Sequence, residues 1–365
     1  MAGPWEESGW TGPTHLSAGS TNRRHQLSEG PCLIIPRQGR FHPLKYLDGL
    51  SEVLEKLNVQ LFTETAVEKV EESDGSVLLH AAGGVVTAAA AVVATNVPII
   101  DGLTISAKEA PYRTFVLAGE VKRGAVDNAL YWDTEDPYHY VRTHPWGEGD
   151  LLLVGGEDYK SGQENDAKLR FERLDRWARE RFPELGKIAY RWSGQVMDTI
   201  DYAAFIGRYP GMDNIYVATG DSGQGITHGV VAGMMIAGLI ESGEHDWTDI
   251  YEPSRKPPRS AKQFLTETAD VVKSFAEYGA PGELVSEEQL SPGAGGILRE
   301  GLRKVAVCRD EKGNLHRLSA SCTHSGCIVH WNAFEQCWDC PCHGSQFAAD
   351  GSVLNGPATA PLPLG

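Results

Sequence analysis

Apolar positions recur along this chain with two periods, and the switch between them divides it. Residues 32–35 form a short apolar run of strand type. Pro43 stands at a helix start, and Leu47, Leu50, Val53, Leu54 and Leu57 follow at helical spacing. Short strands are expected at 59–62, 67–71 and 77–80, with Asp74-Gly75 and Gly83-Gly84 as turns. The continuous apolar run 88–94 ends in Thr95-Asn96-Val97-Pro98, the pattern of a buried strand arriving at a loop. Between 110 and 160 the period becomes two, at 115–121, 138–142 and 151–154, which predicts an antiparallel sheet. A charged amphipathic helix follows at 165–182, with Leu169, Phe171, Leu174, Trp177 and Phe182 as its apolar members. Strands at 188–192 and 214–217 lead to a glycine-rich turn and a helix at 226–240. A last helix is expected at 261–278, with Phe264, Leu265, Val271, Val272 and Phe275 inward. Beyond it come only short strands, at 296–299, 304–308 and 315–318.

This pattern predicts an α/β (α+β) lobe over 31–252, a linker and helix over 253–280, and a small all-β domain over 281–365. Residues 1–30, rich in Gly, Pro, Ser, Thr and His, show neither period and are expected to be irregular. A chain of 365 residues with 41% hydrophobic content has room for two or three ordinary cores. The formal charge of −16 argues against a nucleic-acid partner, which needs a basic surface. No run reads as long and apolar enough to cross a bilayer. Arg23-Arg24 is followed by no hydrophobic segment and is not read as an export signal, so a cytoplasmic location is expected. Five of the seven cysteines crowd into 322–342, which points to a metal site and away from a secreted disulfide framework.

That crowding has an order. C-T-H-S-G-C at 322–327 offers Cys322 and His324, and C-P-C-H-G-S at 340–345 offers Cys340 and His343. Two thiolates and two imidazoles suit tetrahedral zinc. They also suit a 2Fe–2S cluster in which two His replace two Cys on one iron. Each loop mixes one Cys with one His, so two loops can grip a cluster from both ends. The two motifs together resemble the paired boxes of a Rieske iron–sulfur domain, and the resemblance is specific. It implies Cys322 and Cys340 on one iron, His324 and His343 on the other, and a disulfide between Cys327 and Cys342. Neutral His in place of anionic Cys eases reduction, giving potentials of roughly −150 to +300 mV. The outward His nitrogens are expected to reach solvent and to couple electron to proton. Ser345 is expected to donate to a bridging sulfide. Phe347 stands where respiratory members carry a Tyr, which implies a potential in the lower half of that range. Ser325 replaces a frequent Leu, implying a wetter cluster. Gly356-Pro357-Ala358 resembles the loop that covers it. Cys337 is read as a thiol without a role.

Three more segments, FHPLKYLDGL at 41–50, VVATNVP at 92–98 and NIYVATGDSGQGITHG at 214–229, resemble the later part of a FAD-dependent oxidoreductase of the D-amino-acid/glycine oxidase group. With the Rieske boxes, the resemblance covers about 31–365. It implies that Gly220, Asp221, Gly225, Ile226 and Thr227 lie against the isoalloxazine ring, with Val67 toward the adenine end and Ala94 and Thr95 in the VVAT segment. The family's G-x-G-x-x-G turn, which holds the FAD pyrophosphate, has no match in these 365 residues. The expectation is a chain that lacks the dinucleotide-binding segment and retains FAD weakly or not at all: a fragment of a longer two-domain enzyme, a chain whose missing lobe a partner supplies, or one whose flavin function is lost. The implied function is an oxidoreductase passing electrons between a flavin-type site and an acceptor, which is a protein or a small molecule. The alternative is a 2Fe–2S electron-transfer module with a vestigial first lobe, and a third reading is a zinc-bound interaction protein. Asp201, Arg208 and His228 lie in plausible pocket segments, but no catalytic base is named. Substrate and oligomeric state are not legible.

Overall fold

Whether an apolar pattern becomes an element depends on the surface it finds to pack against. The computed structural model describes residues 15–17, 32–100, 105–255, 274–284 and 286–365. They divide into two units, one of residues 1–61, 115–157 and 168–192, the other of 62–114, 158–167 and 193–365.

In the first unit, helix Pro43–Lys56 forms where the leucine spacing predicts, capped by the His42 imidazole, which accepts from Lys45 N. None of its residues is buried, and Leu44 is 71% exposed. The predicted strand at 59–62 is absent; Val59, Leu61 and Phe62 stand exposed without a strand to pair with. Of residues 1–30, expected to be irregular, only 15–17 are described, and His15–Ser17 pairs antiparallel with Cys32–Ile34. Helix Ala167–Arg181 buries Phe171, Leu174 and Ala178 and leaves Leu169 exposed. Phe171 meets Phe115 edge-on with ring centroids 5.2 Å apart, which anchors the helix to the antiparallel sheet. That sheet runs in the order Ile188–Thr199, Glu109–Val121, Gly149–Lys160, His139–Trp146 and Leu130–Trp132.

The second unit contains four further sheets. Strands Val67–Ser73, Ser76–Ala81 and Gly84–Ala88 form a meander. The apolar run at 88–94 is therefore broken. Its first residue closes the meander by pairing with Val77, and only Ala91–Val93 forms the expected buried strand, because only there does it pair with the strand at 215–219. It pairs parallel with Ile215–Thr219, which pairs antiparallel with Phe205–Arg208. Helix Gly225–Ser242 buries Ala232, Met235, Ile236 and Leu239 against Ile206 and Tyr216. At 18 residues and mean hydropathy 1.3 it passes a length-and-composition test for a membrane span, which the sequence reading did not anticipate. At 1.5 Å per residue it would reach about 27 Å, short of a 30 Å hydrocarbon layer.

The predicted helix at 261–278 lies outside the described residues up to 273; residues 274–276 are helical as expected, Phe275 is exposed where it was expected inward, and Glu277–Gly279 is a 3-10 turn. Residues just after 252, read as a linker, are pinned: Lys108 Nζ donates to Pro253 O, and Arg255 pairs with Asp201 at 2.7 Å. From 295 the chain is all β among the described residues. One sheet holds Gly295–Glu300, Arg303–Arg309 and Leu315–Ser319; another holds His330–Asn332, Cys337–Asp339, Gln346–Ala348 and Val353–Asn355. Their common core includes Trp331, Trp338, Phe347, Cys322, Cys327, Cys340 and Cys342.

Candidate metal centre

The two cysteine–histidine loops are closed by the same hydrogen bonds. Cys322 N donates to Cys327 O and Gly326 N to Cys322 O; Cys340 N donates to Ser345 O and Gly344 N to Cys340 O. In each ring the fifth residue is a glycine in the left-handed region, Gly326 at φ 81° and Gly344 at φ 77°. Only glycine takes that conformation without strain, which is why both motifs carry it there.

Inside each ring the backbone is aimed at sulfur. The N–H groups of His324 and Ser325 point to Cys322 Sγ, and those of Cys342 and His343 to Cys340 Sγ. Four aligned donors on two buried sulfurs form a cradle for thiolates. The two sulfurs lie close enough to share a proton. The hydrogen bond from Cys340 lowers the Cys322 pKa, and the same contact raises that of Cys340. Ser345, fully buried, accepts from Ala358 N at 3.0 Å and directs its own hydroxyl at Cys322 Sγ. The cover segment at 356–358 thus holds the hydroxyl expected to serve the cluster.

The rings of His324 and His343 stand 4.9 Å apart and nearly perpendicular. Burial, then His324 and Lys160, push the His343 pKa down to about 4, which keeps it neutral, the form that binds metal. Ser325 Oγ lies 3.3 Å from His343 Nδ1 and near Cys327 sulfur, so it serves as a polar neighbour of both boxes. Cys327 and Cys342 form a disulfide, Cα atoms 6.4 Å apart, that ties one box to the other. Cys340 Sγ lies within 4.8 Å of both disulfide sulfurs. Bonded to each other, those two offer no thiolate, so the donor set with the chemistry for a 2Fe–2S cluster is Cys322, His324, Cys340 and His343. Phe347, 0% exposed, lies in the same core, paired across the sheet with Trp338.

The two imidazoles differ. His324 is half-buried and borders a cavity of about 220 Å³ with Lys69, Ile99 and Pro357. His343 is 3% exposed, so the expectation that both rings reach solvent does not hold for it. The cause is the seat of the second loop. Gln195 Nε2 donates to Gly344 O at 2.9 Å. A Cβ on Gly344 would come within 3.0 Å of Pro111 Cβ, and one on Gly162 within 3.1 Å of Pro341 Cβ. Beside the loop, Arg113 Nη2 donates to both oxygens of Asp339, at 2.9 and 3.1 Å, with both residues buried. Asn332 and Gln346 complete the shell of Asp339 at 2.8 and 2.7 Å. Neither Arg113 nor Asp339 was singled out from sequence; a lone Arg in an alternating strand carries no signal of its partner.

On the flavin side the parallel strands bring their carboxyl ends together, where ligands of α/β sheets bind. Ala94 and Thr95 are exposed there, and Thr219 Oγ1 donates to Asn96 O at 2.5 Å. Gly220 is buried at φ 68°, and Gly225 opens the helix. Asp221 accepts from Gly223 N, and burial raises its pKa. Ile226 is half-buried and Thr227 exposed; Val67 packs in the core with Val93 and Val217. The two loops and the glycine turn thus lie beside a helix start, while Val67 packs against the core. Asp201 is spent on Arg255, Arg208 lies over the Tyr216 ring, and His228 Nδ1 meets Asp221 O.

Sequence reading missed Glu109. It is 3% exposed, with Oε1 2.8 Å from Thr219 Oγ1 and Oε2 lacking a hydrogen-bond partner. Thr219 gives its one proton to the Asn96 carbonyl, which cannot donate, so the Glu109 contact requires a proton on the carboxyl. Burial pushes the Glu109 pKa up to about 8, in agreement.

Residues 5–239 match the family "FAD dependent oxidoreductase", and residues 282–364 match "Rieske [2Fe-2S] domain". The chain is 32% identical over 334 residues to YhfW of Bacillus subtilis, named a putative Rieske 2Fe-2S iron-sulfur protein, covering 91% of this chain and 65% of that one. Against the cytochrome b6-f complex iron-sulfur subunit of a Synechococcus strain it is 60% identical over 47 residues, 13% of this chain and 27% of the subunit. Glycine oxidase from Geobacillus kaustophilus superposes with a TM-score of 0.52 at 17% identity, over 64% of each chain, a likeness of fold. The chain thus spans just under two thirds of its Bacillus relative. The two families imply FAD and a 2Fe–2S cluster as cofactors. The chain belongs to the FAD-dependent oxidoreductases and carries, after that lobe, a Rieske iron–sulfur domain.

Proposed function

We propose that this chain is an oxidoreductase that moves electrons between a flavin-type site and a Rieske cluster within one polypeptide. One observation carries the reading: the second box is seated on strands of the flavoprotein lobe through Arg113–Asp339 and Gln195–Gly344. A domain built only to ferry electrons to distant partners would gain nothing from burying an ion pair there.

Cys322, Cys340, His324 and His343 would hold the cluster, which supplies one-electron transfer. The backbone donors at 324, 325, 342 and 343 favour anionic sulfur, and the Ser345 hydroxyl adds another hydrogen bond on the same side. His343, buried and neutral, faces the protein; His324 borders the 220 Å³ cavity and would be the edge nearest an acceptor. On the flavin side, protonated Glu109 holds Thr219, and Thr219 holds Asn96, keeping both loops in register. The substrate class is left to an amine-type or other C–H donor, as the family resemblance implies.

The test is anaerobic reconstitution with iron, sulfide and FAD, then photoreduction of the flavin. Cluster bleaching at a rate independent of protein concentration is expected. Bleaching that scales with protein concentration would place the transfer between molecules and defeat the proposal. A chain that binds no flavin would leave the electron-transfer module as the function.

A further inference from the structure

One group of side chains is out of keeping with the rest of this acidic molecule. The chain carries a formal charge of −16, yet five basic groups converge where the start of helix Pro43–Lys56 meets strand His139–Trp146. Arg40 Nη1 donates to Thr143 Oγ1 at 2.8 Å and also to the Thr143 carbonyl. Arg142 Nη1 donates to Phe41 O at 3.4 Å. His42 and His144 stand edge to face, ring centroids 5.2 Å apart. Lys45 is on the first helical turn, exposed, while Arg40, His42, Arg142 and His144 are half-buried.

The groups whose charge acts on His144 are all basic: His42, Arg142, Arg40 and Lys45. Among the described residues, none of the five pairs with a carboxylate. The guanidiniums donate to neutral oxygens, which orients them and leaves their charge uncompensated. Crowding like charges without a counter-ion is unfavourable, and an anion among them relieves it. Two planar guanidinium forks beside two imidazoles match the in-plane oxygens of carboxylate and phosphate. The number of cations suits an anion with more than one negative charge.

We propose that Arg40, His42, Lys45, Arg142 and His144 form a binding site for a multiply charged oxyanion, a phosphate group or a dicarboxylate. The site uses none of the residues assigned to either cofactor and stands independently of the redox reading. Burial, then the neighbouring cations, hold His144 below its ordinary pKa. A bound anion reverses the cationic part of that effect. Binding therefore takes up a proton at His144, with Arg40, His42, Lys45 and Arg142 as the charged groups facing it.

The test follows the imidazole signals of His42 and His144 by NMR in the full chain. Inorganic phosphate or succinate is added while sodium chloride holds ionic strength constant. Saturable shifts with a rise in the His144 pKa are expected. Saturation by phosphate alone assigns a phosphate group, by succinate alone a dicarboxylate; either supports the site. Arg142→Gln should weaken binding about tenfold, the loss of one charge-assisted hydrogen bond. Lys45→Gln, at an exposed position that leaves the fold intact, should weaken it about twofold to threefold. Shifts that never saturate, or affinity unchanged in both variants, would overturn the proposal.

Discussion

Residues 322–327 and 340–345 each close on themselves, whereas residues 94–96 and 219–227 meet through a parallel strand pair, the Thr219–Asn96 hydrogen bond and a carboxylate arriving from strand Glu109–Val121. In the first region the donors, the turn and the glycine that permits it lie within six consecutive residues. In the second, Thr219 is 110 positions from Glu109 and 123 from Asn96. A local ring survives changes elsewhere in the chain; a site assembled from distant segments depends on every strand between them.

The comparison can be broken most directly by mutation at the metal centre. Cys340→Ser should abolish iron and acid-labile sulfide, because no other described free thiol joins Cys322 and both imidazoles. Gly220→Val, which crowds Thr199 and Glu109, should leave iron content unchanged. Equal iron loss in both variants, measured on anaerobically prepared protein, would show that the centre is not locally built.

Arg113 tests where the two regions join. Arg113→Ala leaves Asp339 buried and unpaired and should cost about 3–5 kcal/mol in chemical denaturation. The sign of the cluster potential sharpens the point. Arg113→Gln should lower it, Asp339→Asn should raise it, and the double variant should return near the starting value. Shifts of one sign in all three would mean packing, and not charge, connects the pair to the cluster.

Glu109 supplies a pH dependence of similar or smaller size. Its folded pKa of about 8 lies above the usual 4.5, so the folded state holds the proton more tightly. Its contribution is full below about pH 4.5, falls as pH rises to about 8, and is level above, a loss of a few kcal/mol. Glu109→Gln keeps a donor to Thr219 and removes the titration, so the slope of stability between pH 5 and 8 should flatten. An unaltered slope would place the titration elsewhere.

The smallest effect is expected from Phe347→Tyr. Phe347 is fully buried in the core that holds Cys322 and Cys340, and a hydroxyl donating to sulfur there should raise the potential. An unchanged value in protein-film voltammetry would mean the hydroxyl finds another partner.

How much could be read in advance follows the same division. The disulfide and the glycine turns of both boxes were legible because candidate ligand, turn glycine and disulfide cysteine share one short window. The helix at 43–56 and the strands from 67 to 81 were legible from period. The 88–94 run was misread because its pattern cannot say where a pairing partner ends. Glu109 and Arg113 were invisible, since a lone charged residue in an alternating strand reads as a solvent-facing one.

By itself the sequence determined the two cysteine–histidine boxes, the order of the two lobes and the family of each, since these are carried by short runs of neighbouring residues. Tertiary structure alone decided that His343 is buried and His324 is not, that Asp339 meets Arg113, and that Glu109 lies beneath Gly220. Burial and charge compensation are properties of what a residue packs against. That neighbour comes from more than 100 positions away.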